Sequence, residues 1–155
     1  MAESPVRMVD VGDKPATRRR ARARAVVRLS PEVLGRLEDG TLPKGDAVAV
    51  SRVAAIMAAK RTPDIVPLCH PIALTSVEAD VAIDRAGGRV VVDVTCETTD
   101  RTGVEMEALA GASAAALCLY DMTKGLDAAG AVEWLGLMEK SGGKSGSWSR
   151  KGGGA

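Results

Sequence analysis

A chain of 155 residues and 16.0 kDa has the length of one domain and can bury a core without disulfide or metal staples. Hydrophobic residues make up 46%, yet Phe is absent and only two Trp and one Tyr occur, so Val, Leu, Ile, Met and Ala must build the core and few aromatic platforms remain for stacking nucleobases. Lys plus Arg at 21 against Asp plus Glu at 20 leaves a net charge of +1, which excludes a global electrostatic case for nucleic acid or acidic membranes.

Residues 1–19 are polar and aperiodic and are expected to form a partly flexible N-terminal arm. From Arg20 the pattern changes: Arg20, Arg22 and Arg24 alternate with Ala21, Ala23 and Ala25, the period-2 signature of a strand with one charged face. Six arginines between 18 and 28 suggest either a nucleic-acid patch or an ion-paired face, and the second is favoured because the rest of the chain cancels the charge. Ser30 as N-cap, Pro31 at the first helical position and Gly40 as a stop define a short helix. A second helix is expected from its cap Asp46 to Pro63.

The segments 72–84 and 89–99 alternate strongly around "RAGG" and predict a hairpin with glycine in the turn. Residues from about 103 to 123 are small and apolar on every side, which predicts a buried helix, with Thr102 and Glu105 placed as a capping box. "AVEWLGLMEK" fits strand or helix and is read as a strand over 132–139 that completes the sheet. The expected organisation is an α+β two-layer sandwich over 20–146, antiparallel with helices on one face, followed by a flexible tail over 147–155.

Cys69, Cys96 and Cys118 form no CxxC, so neither a disulfide framework nor a zinc knuckle is implied, and a reducing cytoplasm is expected. No basic-then-apolar leader opens the chain, and no run reaches the roughly 18 apolar residues of a membrane helix.

Three segments carry candidate chemistry. In "VPLCHP", Pro67 and Pro71 stiffen the backbone around Cys69 and His70, the only histidine, which serves either as a structural group or as a site group. In "KSGGKSG", glycines let successive N–H groups converge on an anion beside Lys140 and Lys144, although the alternative is a basic tail. It is not a P-loop, because Met138 stands where that motif needs glycine. In "YDMTKG", Asp121 and Lys124 lie at i and i+3 and either exchange protons or simply pair. If one helix carries both Glu105 and Asp121, their 16-residue separation puts them about 24 Å apart, too far for one small-molecule pocket in one chain. Either they serve different sites or a second subunit supplies the missing half.

Together "MVDVGDKPATRR", "KGDAVAVSRVAAIMAAKRTPDIVPLCHP", "TGVEMEALAGASAAALCLYDMTK" and "KSGGKSG" resemble the cyclic pyranopterin monophosphate synthases, the C proteins of molybdenum cofactor biosynthesis, over most of residues 8–146. The resemblance implies a ferredoxin-like fold, a hexamer built as a trimer of dimers with sites at the dimer interface, and a lyase reaction. In that reaction 3',8-cyclo-7,8-dihydro-GTP is rearranged to cyclic pyranopterin monophosphate with release of pyrophosphate. It also implies that Lys44, His70, Glu105, Glu107, Asp121, Lys124 and Lys140 are active-site positions, with Cys69, Arg19 and Lys144 as further substrate contacts. Lys124 is expected as general acid or base and Asp121 as the group that tunes it, the two forming a buried pair. No metal site is expected, and Mg²⁺ enters only with the substrate triphosphate. Two departures stand out: no aromatic follows Thr62, and the "GGGA" end matches nothing in the family. The competing readings are a non-catalytic nucleotide-phosphate binding module, which needs no acid–base pair, and an RNA-binding protein, which the missing aromatics disfavour.

Overall fold

A computed structural model describes residues 3–152, and the end of the "GGGA" tail, 153–155, lies outside them. The elements run β1 (Thr17–Arg28), α1 (Pro31–Asp39), α2 (Ala47–Lys60), α3 (Thr62–Ile65), β2 (Ser76–Asp84), β3 (Arg89–Asp100), α4 (Glu105–Thr123), β4 (Ala131–Ser141) and β5 (Trp148–Ser149). All strand pairings are antiparallel in the order β2-β3-β1-β4-β5. Through β4 the chain runs β1-α1-α2-α3-β2-β3-α4-β4, with β3 and β1 each inserted between strands that follow one another in the chain. The chain is therefore an α+β sandwich.

Alternation builds β1 as its sequence requires. Ala21, Ala23 and Ala25 are at most 1% exposed on the helix-facing side. On the other face Arg18 meets Glu97, Arg20 meets Glu139 at 2.7 Å, Arg22 meets Asp93, and Arg24 holds both carboxylate oxygens of Asp93 at 2.9 and 2.8 Å. The arginine stripe is thus an ion-paired sheet face, each charge answered by a neighbouring strand.

The helix signals hold at α1, where Ser30 accepts from Val33 N–H and Gly40 closes the end at φ 65°. Asp46 caps α2 through Ala49 N–H at 2.9 Å. Pro63, expected to end this helix, instead lies in the first turn of α3. Helix α2 stops at Lys60 because Arg61 leaves the helical region at φ −114°, ψ 20°; its N–H and the Thr62 hydroxyl both donate to the Ala58 carbonyl, and the hydroxyl also donates to that of Ala59. The hairpin forms as expected, with Gly88 at φ 69° in the turn, although β2 begins at Ser76 rather than Ile72.

Helix α4 is the buried helix, packed between α2 and the sheet through Ala108, Gly111, Ala112, Ala115 and Leu119. A Cβ at Gly111 would stand 2.9 Å from Val94 Cγ1 and 3.1 Å from Ala55 O, so glycine sets the spacing of all three elements. The capping box does not form. Val104 is the N-cap and no side chain caps the helix, because Glu105 is its first residue and turns to Lys140 instead. The ambiguous segment is a strand, β4, and the tail expected to be flexible supplies β5. Likewise β1 takes in Thr17 to Arg19, which the arm was expected to hold.

Candidate active site

The two ends of α4 carry separate clusters. At its C-terminal end, Asp121 Oδ1 accepts from Lys124 Nζ at 2.7 Å and Oδ2 accepts from Lys44 Nζ at 2.8 Å. Lys44 also donates to the Asp121 carbonyl at 3.1 Å, using the partial negative charge of a helix C-terminus. Flanked by both amines, Lys124 first, the Asp121 carboxyl is held down at about 2. The Lys124 amine is in turn pushed up by its bond to Asp121, so it holds its proton through neutral pH. The expected burial of this pair is corrected: Asp121 and Lys124 side chains are 54% and 52% exposed, on the rim of a cleft of about 230 Å³ that Pro43 and Leu126 share. An exposed ion pair is what a single chain presents here.

At the N-terminal end, Lys140 Nζ meets Glu105 Oε1 at 3.1 Å, both side chains about one-third exposed. Glu107 is only 2% exposed and its Oε2 has no hydrogen-bond partner. Burial pushes the Glu107 carboxyl upward, against a stabilising contact in which the Cys69 thiol donates to Oε1 at 3.6 Å. Cys69 stays a thiol, its value raised to about 11 by burial and then by the Glu107 charge. It is a donor, not a nucleophile. His70 Nε2 lies 2.6 Å from the Val9 carbonyl, which can only accept, so Nε2 carries the hydrogen and Nδ1 is left for another partner. Cys69, His70 and Glu105 line one cleft of about 350 Å³ together with Lys14 and Met106.

Arg19 and Lys144 line a second, adjoining cleft of about 440 Å³, again with Lys14. Gly142 and Gly143 shape it with φ of 97° and 74°. A Cβ on Gly143 would run into the Arg19 guanidinium, so only glycine lets the loop lie flat on β1. Arg19 Nε and Thr17 Oγ1 are buried there without partners.

The sequence-derived set therefore divides. Lys44, Asp121 and Lys124 are brought together, and so are Cys69, His70, Glu105, Glu107, Lys140, Arg19 and Lys144, but the two groups remain at opposite ends of a 19-residue helix. Two residues escaped the sequence reading. Lys14 faces both clefts, and Arg101 fastens the arm by donating to Gly12 O at 2.7 Å while accepting from Arg19 at its own carbonyl. Lys14 lies within "GDKPATRR", where a lysine before a proline was the available signal. Arg101 offered none, since its partners are 82 and 89 residues away. Among the described residues no cluster of three or more His, Cys, Asp or Glu could hold a metal ion. None of their helices is long and apolar enough to cross a membrane.

An antiparallel α+β sandwich with one cationic, carboxylate-bearing cleft system and a separate lysine–aspartate–lysine cluster has the make-up of an enzyme acting on a small molecule. The chain belongs to the MoaC family, whose pattern matches residues 8–143. It is 52% identical to the cyclic pyranopterin monophosphate synthase of Roseiflexus castenholzii over 140 residues, covering 90% of this chain and 89% of that one. It is 50% identical to the synthase of that name from Thermomicrobium roseum over 145 residues, covering 94% and 87%. A molybdenum cofactor biosynthesis bifunctional protein of Synechococcus elongatus is 51% identical over 143 residues, and there the match spans 92% of this chain but 45% of the longer relative.

Proposed function

We propose that this chain is a cyclic pyranopterin monophosphate synthase of molybdenum cofactor biosynthesis, a lyase that converts 3',8-cyclo-7,8-dihydro-GTP to cyclic pyranopterin monophosphate and releases pyrophosphate. The observation that carries this reading is the pairing of an acid–base cluster with a cationic cleft: Lys44, Asp121 and Lys124 on one side, Lys14, Arg19, Lys140 and Lys144 on the other. Ring opening and reclosure require proton transfers, and a triphosphate requires fixed positive charge. Lys124 is the general acid or base, and its bond to Asp121 holds the proton on its amine before substrate arrives. Asp121 tunes it. His70, Cys69, Glu105, Glu107, Lys140, Arg19 and Lys144 contact or frame the substrate.

One site needs both ends of α4, so the working unit is at least a dimer, and the proposed assembly is a hexamer arranged as a trimer of dimers. Val50, Val53 and Met57, spaced i, i+3 and i+7 on α2, are 45–54% exposed and offer an apolar stripe of the kind a subunit contact covers. The site carboxylates are committed to lysines or buried, which suits Mg²⁺ arriving on the triphosphate better than Mg²⁺ held by this chain. The three free cysteines suit a reducing cytoplasm. The decisive experiment is incubation of the purified chain with the cyclised dihydro-GTP and an assay for pyrophosphate. Release above the background of heat-treated protein is expected; binding without release would leave only a nucleotide-phosphate binding module.

A further inference from the structure

The last described residues do something the family pattern, ending at residue 143, does not cover. Strand β5 is two residues long and pairs Trp148 with Lys140 and Ser149 with Glu139. A two-residue ladder is marginal by itself. The next residue is anchored far more firmly. Arg150 donates its backbone N–H to Met138 O at 2.8 Å and its Nε to Leu137 O at 2.8 Å, and its guanidinium lies 5.2 Å from the Trp134 ring and 5.7 Å from the Trp148 ring. These are the only two tryptophans in the chain, and one cation engages both. Gly136 makes the seat, since a Cβ there would come within 2.7 Å of the Trp134 ring and 3.3 Å of Arg150 Nη2. Under Trp134 in register is Val26, fully buried although its neighbours Ala25 and Val27 face the opposite, helix-covered side.

Between β4 and β5 runs the loop 142–147, which carries Gly142, Gly143 and Lys144. The cleft it forms with Lys14, Thr17 and Arg19 has no carboxylate in its lining. Two of that cleft's polar atoms, Arg19 Nε and Thr17 Oγ1, are buried and unpartnered. Cations without counter-ions and donors without acceptors ask for an anion. A loop fixed at both ends holds Lys144 at the cleft with less freedom left to lose when an anion binds. Ser141 fixes one, as the last residue of β4, and the Arg150 stack is what fixes the other.

We propose that Trp134, Arg150 and Trp148 form a clip that holds the glycine-rich loop closed on β1, making Arg150 a positioning residue for the phosphates of a polyphosphate-bearing substrate. This rests on the functional reading above for the substrate, and on geometry alone for the clip. Loosening the clip lowers the fraction of time the loop is competent, and apparent affinity falls by that fraction while the chemistry at the other end of α4 is untouched.

The probe is inorganic tripolyphosphate, titrated calorimetrically into the intact protein, beside steady-state kinetics on the cyclised dihydro-GTP. If opening leaves the loop competent about a tenth of the time, Arg150→Ala raises the tripolyphosphate Kd and the substrate KM roughly tenfold. Its kcat stays within about twofold of the wild type, a uniform-binding loss. Arg150→Lys, which keeps a cation near the rings but loses the Nε–H donated to Leu137 O, recovers only part of the loss, and Trp148→Ala, at an exposed position, reproduces it should Arg150→Ala fold poorly. An unchanged Kd in both Arg150→Ala and Trp148→Ala overturns the clip, as does a fall in kcat with KM unmoved. Wild-type protein that binds tripolyphosphate but never releases pyrophosphate would instead overturn the synthase reading and leave the clip standing.

Discussion

The two ends of α4 put carboxylates into opposite circumstances. At the C-terminal end Asp121 is half exposed and grips two ammonium groups, which hold its carboxyl down at about 2. At the N-terminal end Glu107 is buried, has one thiol donor and an orphan oxygen, and its carboxyl is pushed up. Partner charge decides the first and desolvation the second. One helix thus offers a committed anion that keeps a lysine charged, and a reluctant one whose second oxygen is buried without a partner. On the proposed dimeric reading the helix length assigns the two to different halves of a shared site.

Removing the amine at the C-terminal end breaks this comparison most severely. Lys124→Ala is expected to lose on the order of 10²- to 10⁴-fold in turnover while still binding substrate, the range of a positioned acid or base. Lys124→Arg should not rescue it, because a guanidinium does not release its proton near neutral pH. Turnover near the wild-type rate from a folded Lys124→Ala protein would move the acid role to Asp121 or His70.

Next in size is the recovery expected when the two ends are damaged in different chains. Glu105→Ala and Lys124→Ala proteins are each inactive, yet after mixing and subunit exchange half the dimers are mixed and each holds one intact site of two, so activity should return to about a quarter of wild type. Gel filtration of the mixture must show exchanged oligomers. If exchange is complete and no activity returns, the ends of α4 do not share a site across subunits.

Much of this arrangement could be read in advance because its causes are local. Ser30, Pro31, Gly40 and Asp46 act within one turn of themselves, and the alternation of Arg and Ala along β1 needs only the pleat of a strand. Most of the failures were tertiary. Thr102 and Glu105 had capping-box spacing, but Lys140, 35 residues on, took the glutamate. Pro63 looked like a stop and sits in a first turn, where a missing N–H costs nothing. His70 was legible as a rigidly held side chain, whereas its grip on the Val9 carbonyl was not, since 61 residues separate them. The chemistry-bearing residue types were visible in the chain; their exposure was not, which is why Asp121 and Lys124 were expected buried and stand in the open.

Smaller again is the effect of the cation at the N-terminal end. Lys140→Ala should weaken substrate binding on the order of tenfold, the loss of one charge-assisted contact, with little change in kcat. Added salt should weaken wild-type binding in the same direction, and weaken the variant less. A kcat effect as large as that of Lys124→Ala would place Lys140 in the proton chemistry rather than in phosphate binding.

The smallest effect, and the one that tests the comparison at its source, belongs to Glu107→Gln measured for stability rather than activity. Burial raises the Glu107 carboxyl in the folded chain above its value of about 4.3 in the unfolded one. A raised group contributes stability that is fully present below the unfolded value and is lost as pH rises through the folded value. Wild-type protein should therefore pay for this charge at neutral pH, while the amide of Gln, which keeps an acceptor for the Cys69 thiol, does not. The Gln amino group meets the same empty surroundings as the orphan Oε2, which offsets part of the gain, so about 1 kcal/mol of net stabilisation is expected at pH 7 to 8. That corresponds to a rise of roughly 2–4 °C in Tm for a chain of this size. Near pH 4, where both side chains are neutral, the difference between the two proteins should shrink. Thermal melts of the pair across that range decide it: a Glu107→Gln protein less stable than wild type at pH 7 to 8, by an amount that does not change down to pH 4, would mean that the carboxylate is held by a donor and is no reluctant anion.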